Sequence, residues 1–243
     1  LENLTTLEYL DIGVVDPSWG VPIGNSSLTS LSGLENLVSV NGIEIIGNES
    51  LTSISALANI TGTIEFGVII CDNYALIDLT WLDGLSSIEG DLYICSNISL
   101  NSLIGLQNID FIGGDCQLTG SDITSLEGLN SMTMIEGSLY IGANNTLLSF
   151  SGLENLDLIG GDFSIGDNAV NSLYALYNLQ TVGGNLSIYK NDDLTSLNGL
   201  NSLTSIGGYL SIVNNNQLTS LNGLNYLTSI VGYIFIYDNQ SIV

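Results

Sequence analysis

Few side chains in this sequence are equipped for acid–base or covalent chemistry. Against 25 Asp and Glu the chain sets a single basic residue, Lys190, and it has no histidine. A serine nucleophile therefore has no imidazole to take its proton. The carboxylates of Asp91 and Asp115 are the one obvious acidic pair. Such a pair can hydrolyse a glycosidic bond or share a Ca2+ ion, but no cleft is predicted around it. The reading is that the protein is not an enzyme and needs no cofactor. A Ca2+ ion between Asp91 and Asp115 is the one metal site to weigh, against two solvated acids. Of three cysteines, Cys71 and Cys95 lie one repeat apart and Cys116 falls out of that spacing.

The elements that must position these residues are repeats. Leucines 34, 57, 82, 106, 129, 153, 176, 200 and 224 open the same phrase every 23–25 residues, and Leu1 opens an enlarged first copy. The consensus is G-L-x-x-L-x-x-I-x-G-x-L-x-I-x-x-N-x-x-L-x-S-L. Its x-L-x-I segment alternates with the period of a strand buried on one face, and glycine before the strand suits a tight corner. No segment reads as a helix longer than a turn. A single coil of this size cannot bury enough apolar surface to stand alone, so the coils must stack. The predicted fold is all-β, a right-handed parallel β-solenoid of about ten coils of 23–25 residues. It forms one domain over 1–243, with an insertion loop at 13–24 in the first coil and a length of roughly 45–50 Å at about 4.8 Å per coil.

Stacking turns each repeat position into a column. Asn48, Asn73, Asn97, Asn144, Asn168, Asn191, Asn215 and Asn239 fall in one column, read as a structural ladder whose amides bond neighbouring turns. Ser121 stands there in the coil from Leu106. A serine column that follows is read as hydroxyls satisfying backbone groups at a corner. Cys71 and Cys95 share an outward column on neighbouring coils, close enough for a disulfide, whereas Cys116 aligns with inward positions and is expected to be a buried free thiol. Among the N-x-S/T triplets, Asn59 and Asn185 lie outside the ladder and are the glycosylation candidates.

The outward strand positions are irregular. Tyr189, Tyr209, Tyr233, Phe235 and Tyr237 gather toward one end, a cluster suited to cross-strand packing or to contact with a protein or glycan. Trp19 sits in the segment Asp16–Gly24 with both prolines and is expected either to cap the first coil or to touch a partner.

Composition narrows the partners. A formal charge of −24 with one cation excludes neutralising phosphates, so nucleic acid and anionic membrane surfaces are not partners, and no apolar run is long enough to insert into a membrane. Other copies of the chain, surface proteins and glycans remain.

The phrase G-L-x-x-L-x-x-I-x-G-x-L-x-I-x-x-N-x-x-L resembles the receptor L-domain, the leucine-rich β-helical module of insulin and EGF receptor ectodomains, over nearly the whole chain. Related repeats occur in GPI-anchored fungal cell-wall proteins and in microbial surface proteins. The receptor modules are shorter and richer in cysteine than this run of ten coils. The resemblance implies a non-enzymatic, extracellular or cell-surface protein. Its role would be structural or adhesive, in a surface, wall or filament, or that of a ligand-binding ectodomain for glycan or protein. The segment 237–243 still follows the repeat and ends about four residues short of the phase at Leu1. The expectation is that the last coil is covered, by further chain or by the next subunit of a head-to-tail array.

Overall fold

A computed structural model describes residues 1–16, 18 and 20–242. Ten parallel strands form one long sheet in chain order: Thr6–Ile12, Ser39–Ile46, Gly67–Cys71, Asp91–Cys95, Cys116–Thr119, Leu139–Gly142, Phe163–Gly166, Leu186–Tyr189, Leu210–Val213 and Ile234–Tyr237. Coils are numbered here by these strands. Registration is exact from coil to coil, so that Leu118, Ile141, Ile165, Ile188 and Ile212 form one inward column, and every one of them is buried. The leucine and isoleucine columns supply a continuous core that no single coil encloses.

A second sheet of eight shorter parallel strands, from Gly62–Ile64 to Ser229–Ile230, forms the adjoining wall. The tenfold count thus applies to the long sheet, and eight coils carry strands in both walls. The reason is one residue. From coil 3 onward three residues separate the last inward residue of the short strand from the first inward residue of the long one, as Gly207–Tyr209 separate Ile206 from Leu210. In coils 1 and 2 only two intervene, Glu8–Tyr9 and Asn41–Gly42. The corner is lost, and a single strand runs through both positions in Thr6–Ile12 and Ser39–Ile46.

Another corner is set by the residue before the repeat leucine. Where it is glycine, as at Gly105, Gly128, Gly152 and Gly199, φ is +114 to +121°, a region that only glycine enters freely. Where it is Ala56, Trp81 or Ala175, the chain instead forms a short 3-10 turn, at Ser55–Leu57, Thr80–Gly84 and Tyr174–Leu176. The insertion after Ile12 is a small antiparallel hairpin, Val14–Val15 with Pro22–Ile23. It lies against the second coil, since a Cβ on Gly13 or Gly24 would strike the Ile46 or Gly47 carbonyl. Trp19 lies outside the described residues.

The C-terminal coil has no neighbour on its outer side. Ile234 and Ile236, in inward columns, are 58 % and 38 % exposed, whereas Ile188 in the same column as Ile236 is fully buried.

Candidate functional site

Three series of hydrogen bonds link successive coils, and they engage most of the polar residues singled out from sequence. The buried asparagine column is the first. Each side-chain oxygen accepts the backbone N–H of the coil before it: Asn73 from Asn48 at 3.1 Å, Asn144 from Ser121 at 3.1 Å and Asn239 from Asn215 at 2.9 Å. Each Nδ2 donates to a strand carbonyl of the preceding coil, as Asn97 does to Ile70 and Asn168 to Ile141. The column begins one coil earlier than the sequence suggested, because Asn25 donates to Asn48 Oδ1. The residue before each ladder asparagine from Asn48 onward holds φ between +51 and +71°, including Ala143 and Lys190. That left-handed residue turns the asparagine under the strand ends. Ser121 is too short for the role, and its Oγ is buried without a partner.

The second ladder accounts for the acidic pair. Asp91 Oδ1 accepts the Asp115 N–H at 2.7 Å, and Asp115 Oδ1 accepts the Ser138 N–H at 2.7 Å. Ser138 Oγ, Asp162 Oδ1 and Asn185 Oδ1 continue the series to the N–H groups of Asp162, Asn185 and Tyr209. The column is positioned by the glycine before it. A Cβ on Gly114, Gly184 or Gly208 would overlap the side-chain oxygen from the previous coil. Backbone N–H groups thus give the two carboxylates a structural reason to be adjacent. Among the described residues no three metal-ligating side chains converge.

The third ladder lies at the repeat leucines. Asn36, Asn59, Asn108, Asn155 and Asn178 each donate from Nδ2 to a backbone carbonyl of the previous coil, at 2.6–2.8 Å. Both glycosylation candidates are hydrogen-bonded amides. Asn59 is exposed, but its Nδ2 bonds the Glu35 carbonyl at 2.6 Å, and Asn185 Nδ2 bonds Asp162 Oδ2 at 3.1 Å. A sugar on either nitrogen would disturb a ladder bond that the sequence column did not reveal. The serines behave as expected at a corner: Ser102 and Ser172 Oγ accept the N–H two residues on, at 3.2 and 3.1 Å.

Cys71 and Cys95 face one another on adjacent strands as free thiols, and Cys116 is a free thiol in the core. The Cys71 thiol is pushed up chiefly by its hydrogen bond to Cys95 and by burial, while acceptance of that bond lowers Cys95. Burial raises Cys116 to about 12.

What the ladders leave free is the outer face of the long sheet. Two shallow grooves lie there. The first, about 260 Å³, is lined by Gln117, Thr119, Tyr140, Gly142, Ser164 and Tyr189; the second, about 420 Å³, by Ser164, Ser187, Tyr189, Lys190, Tyr209, Ser211 and Tyr237. Ser164 and Tyr189 border both, so the two grooves adjoin across coils 5–10. The ring of Tyr189 lies over Gly166, where a Cβ would collide with it. Of the predicted aromatic cluster, Tyr189, Tyr209 and Tyr237 share the second groove. Tyr209, Phe235 and Tyr233 pack in series, with centroids 5.9 and 6.1 Å apart. Tyr140 and Gln117 were not foreseen as site residues. The signal for them was present in the neighbouring outward column, where Gly142 and Gly166 open a notch in the face. Lys190 Nζ stands 3.5 Å from Asp167 Oδ1 at the rim.

No family model matches this chain, and no curated protein matches it. Among solved structures it is similar to an internalin from Listeria monocytogenes, at 21 % identity over 88 % of this chain and 69 % of that one, with a TM-score of 0.38. The parallel pairing of both sheets shows a leucine-rich parallel β-solenoid, and no match to the receptor L-domain family accompanies it. No described helix is long and apolar enough to cross a membrane.

Proposed function

We propose that this protein is a non-catalytic, adhesive cell-surface solenoid that binds its partner with the outer face of the ten-stranded sheet. The observation that carries this reading is the pair of adjoining grooves across coils 5–10, whose lining includes tyrosines, serines and one glutamine. Exposed aromatics with hydroxyl neighbours on a rigid sheet are the composition of a contact surface. The remaining chemistry favours binding over catalysis, because the carboxylates of Asp91 and Asp115 hold backbone N–H groups. An extracellular setting agrees with a chain that has almost no sites for trypsin-like proteases. The test is adhesion of protein-coated beads to cell-surface material. Tyr189→Ser with Tyr237→Ser is expected to abolish it, and Tyr174→Ser, on an exposed turn away from the face, to leave it intact. Adhesion unaffected by the double substitution would remove this face from the function.

A further inference from the structure

We propose that the grooves form one track for an extended, uncharged oligosaccharide chain that runs along the solenoid axis, with one aromatic platform for every two sugar rings. This rests on the sheet face being the binding surface.

Tyr93, Tyr140, Tyr189 and Tyr237 occupy outward positions on coils 4, 6, 8 and 10. One aromatic thus recurs every second coil. Parallel strands in register repeat at about 4.8 Å, so successive platforms are about 10 Å apart along the axis. That is close to the length of two pyranose rings in an extended chain. In these two strand columns the coils between present small or hydrogen-bonding groups instead: Gln117 and Thr119, Ser164 and Gly166, Ser211 and Val213. Tyr209 of coil 9 stands in the corner column, where it borders the second groove and packs edge-on against Phe235, and Tyr93 lies one coil beyond the first groove. The four tyrosines do not pack on one another, since the ring pairs among the described residues involve other aromatics. Cross-strand aromatic packing therefore does not explain their spacing. The track shifts sideways by one outward position between Tyr140 and Tyr189, where Ser164 borders both grooves.

Charge selects among ligands. No charged side chain lines the first groove, and Lys190, the one in the second, lies beside Asp167. The net charge of −24 repels uronate or sulfated chains. An extended peptide is disfavoured on different grounds. Peptides that add to sheets bond an open strand edge, whereas strands in the middle of this sheet have both edges paired. A sugar chain needs only what the face offers: apolar ring faces for its C–H surfaces and uncharged donors and acceptors for its hydroxyls.

The experiment is calorimetric or NMR titration of the whole chain with neutral linear oligosaccharides of two to eight rings, both β-1,4- and β-1,3-linked. Affinity is expected to rise in steps of two rings up to about six. Tyr189→Ser should weaken the hexamer about tenfold or more, Tyr189→Trp should retain it, and Tyr174→Ser should leave it unchanged. Circular dichroism confirms that each variant is folded. Absence of binding by every neutral chain, affinity independent of length, or an unaffected Tyr189→Ser variant would overturn the inference. The wider reading is separated by repeating bead adhesion on protease-treated and on enzymatically deglycosylated surfaces. Adhesion that needs the tyrosines but fails only after proteolysis makes the partner a protein, which retains the face and discards the glycan. Adhesion indifferent to the tyrosines discards both.

Discussion

Gly114 leaves empty the space that the carboxylate of Asp91 fills: a Cβ at 114 would overlap Asp91 Oδ1, the atom that accepts the Asp115 N–H at 2.7 Å. The glycine column and the acid column are one device, in which absence of a side chain on one coil admits the capping oxygen of its neighbour.

Gly114→Ala is therefore expected to destabilise the fold by roughly 1–3 kcal/mol through overpacking, and Asp91→Ala by about 2 kcal/mol through loss of a charge-assisted hydrogen bond. In the double substitution the costs should fall short of their sum, because the alanine no longer meets the carboxylate. Some cost persists, since the Asp91 backbone nitrogen is 2.8 Å from the added Cβ. Urea unfolding of the four proteins measures the coupling, and strict additivity would show that the columns are independent.

Ser121 interrupts the buried ladder with a hydroxyl that has no partner, while Gly120 before it keeps the left-handed turn at φ +64°. Ser121→Asn is expected to restore the acceptor facing Asn97 and to raise stability by about 1 kcal/mol. An unchanged or lower unfolding midpoint would mean that the shortened turn after Ser121 leaves no room for the amide.

The thiols should separate by reactivity. Cys95, lowered by the bond from Cys71, is expected to be alkylated before Cys71, and mild oxidation to join the two, with Cys116 untouched in the folded protein. Peptide mapping decides each point. Cys116 also makes an alkaline prediction. Its folded value is raised from 9.0 to about 12 by burial. The unfolded chain thus loses this proton first, and the contribution to stability is complete below pH 9 and is lost as pH rises toward 12. Cys116→Val should flatten that decline, leaving the share from Cys71, which is also raised, and from Tyr9 and Tyr93, which are raised to about 12.

Ala143 holds φ +54°, a conformation that costs an L-residue roughly 1–2 kcal/mol. Ala143→Gly relieves it but frees the unfolded chain, a partial offset, so a net gain of about 0.5 kcal/mol is expected. Ala58, with φ −65°, provides the opposite sign: Ala58→Gly should destabilise by about 0.5–1 kcal/mol. Thermal melts of both report whether the turn geometry is as described.

The solenoid, its inward columns and the asparagine ladder were legible in the sequence, because stacking repeats each local choice ten times. Leu118, Ile141 and Ile165 announce their burial by period alone, and Cys116 follows from alignment with Leu92 and Leu139. What the tertiary structure decided lies between coils. That Asp91 serves the N–H of Asp115 depends on a side chain meeting the backbone 24 residues later, and the engagement of Asn59 by Glu35 on a contact 24 residues back. A column of residue types carries no direction of hydrogen bonding, so these acids and amides read as free. The merging of strands in coils 1 and 2 follows from one missing corner residue, a difference too small to stand out against repeats that already vary between 23 and 25. The grooved face was half visible. Its tyrosines lie in the sequence for anyone to count, but the notch at Gly142 and Gly166 is defined only when neighbouring coils set Thr119, Tyr140 and Tyr189 around it. A surface groove is a property of side chains from several turns at once, which a single repeat does not contain.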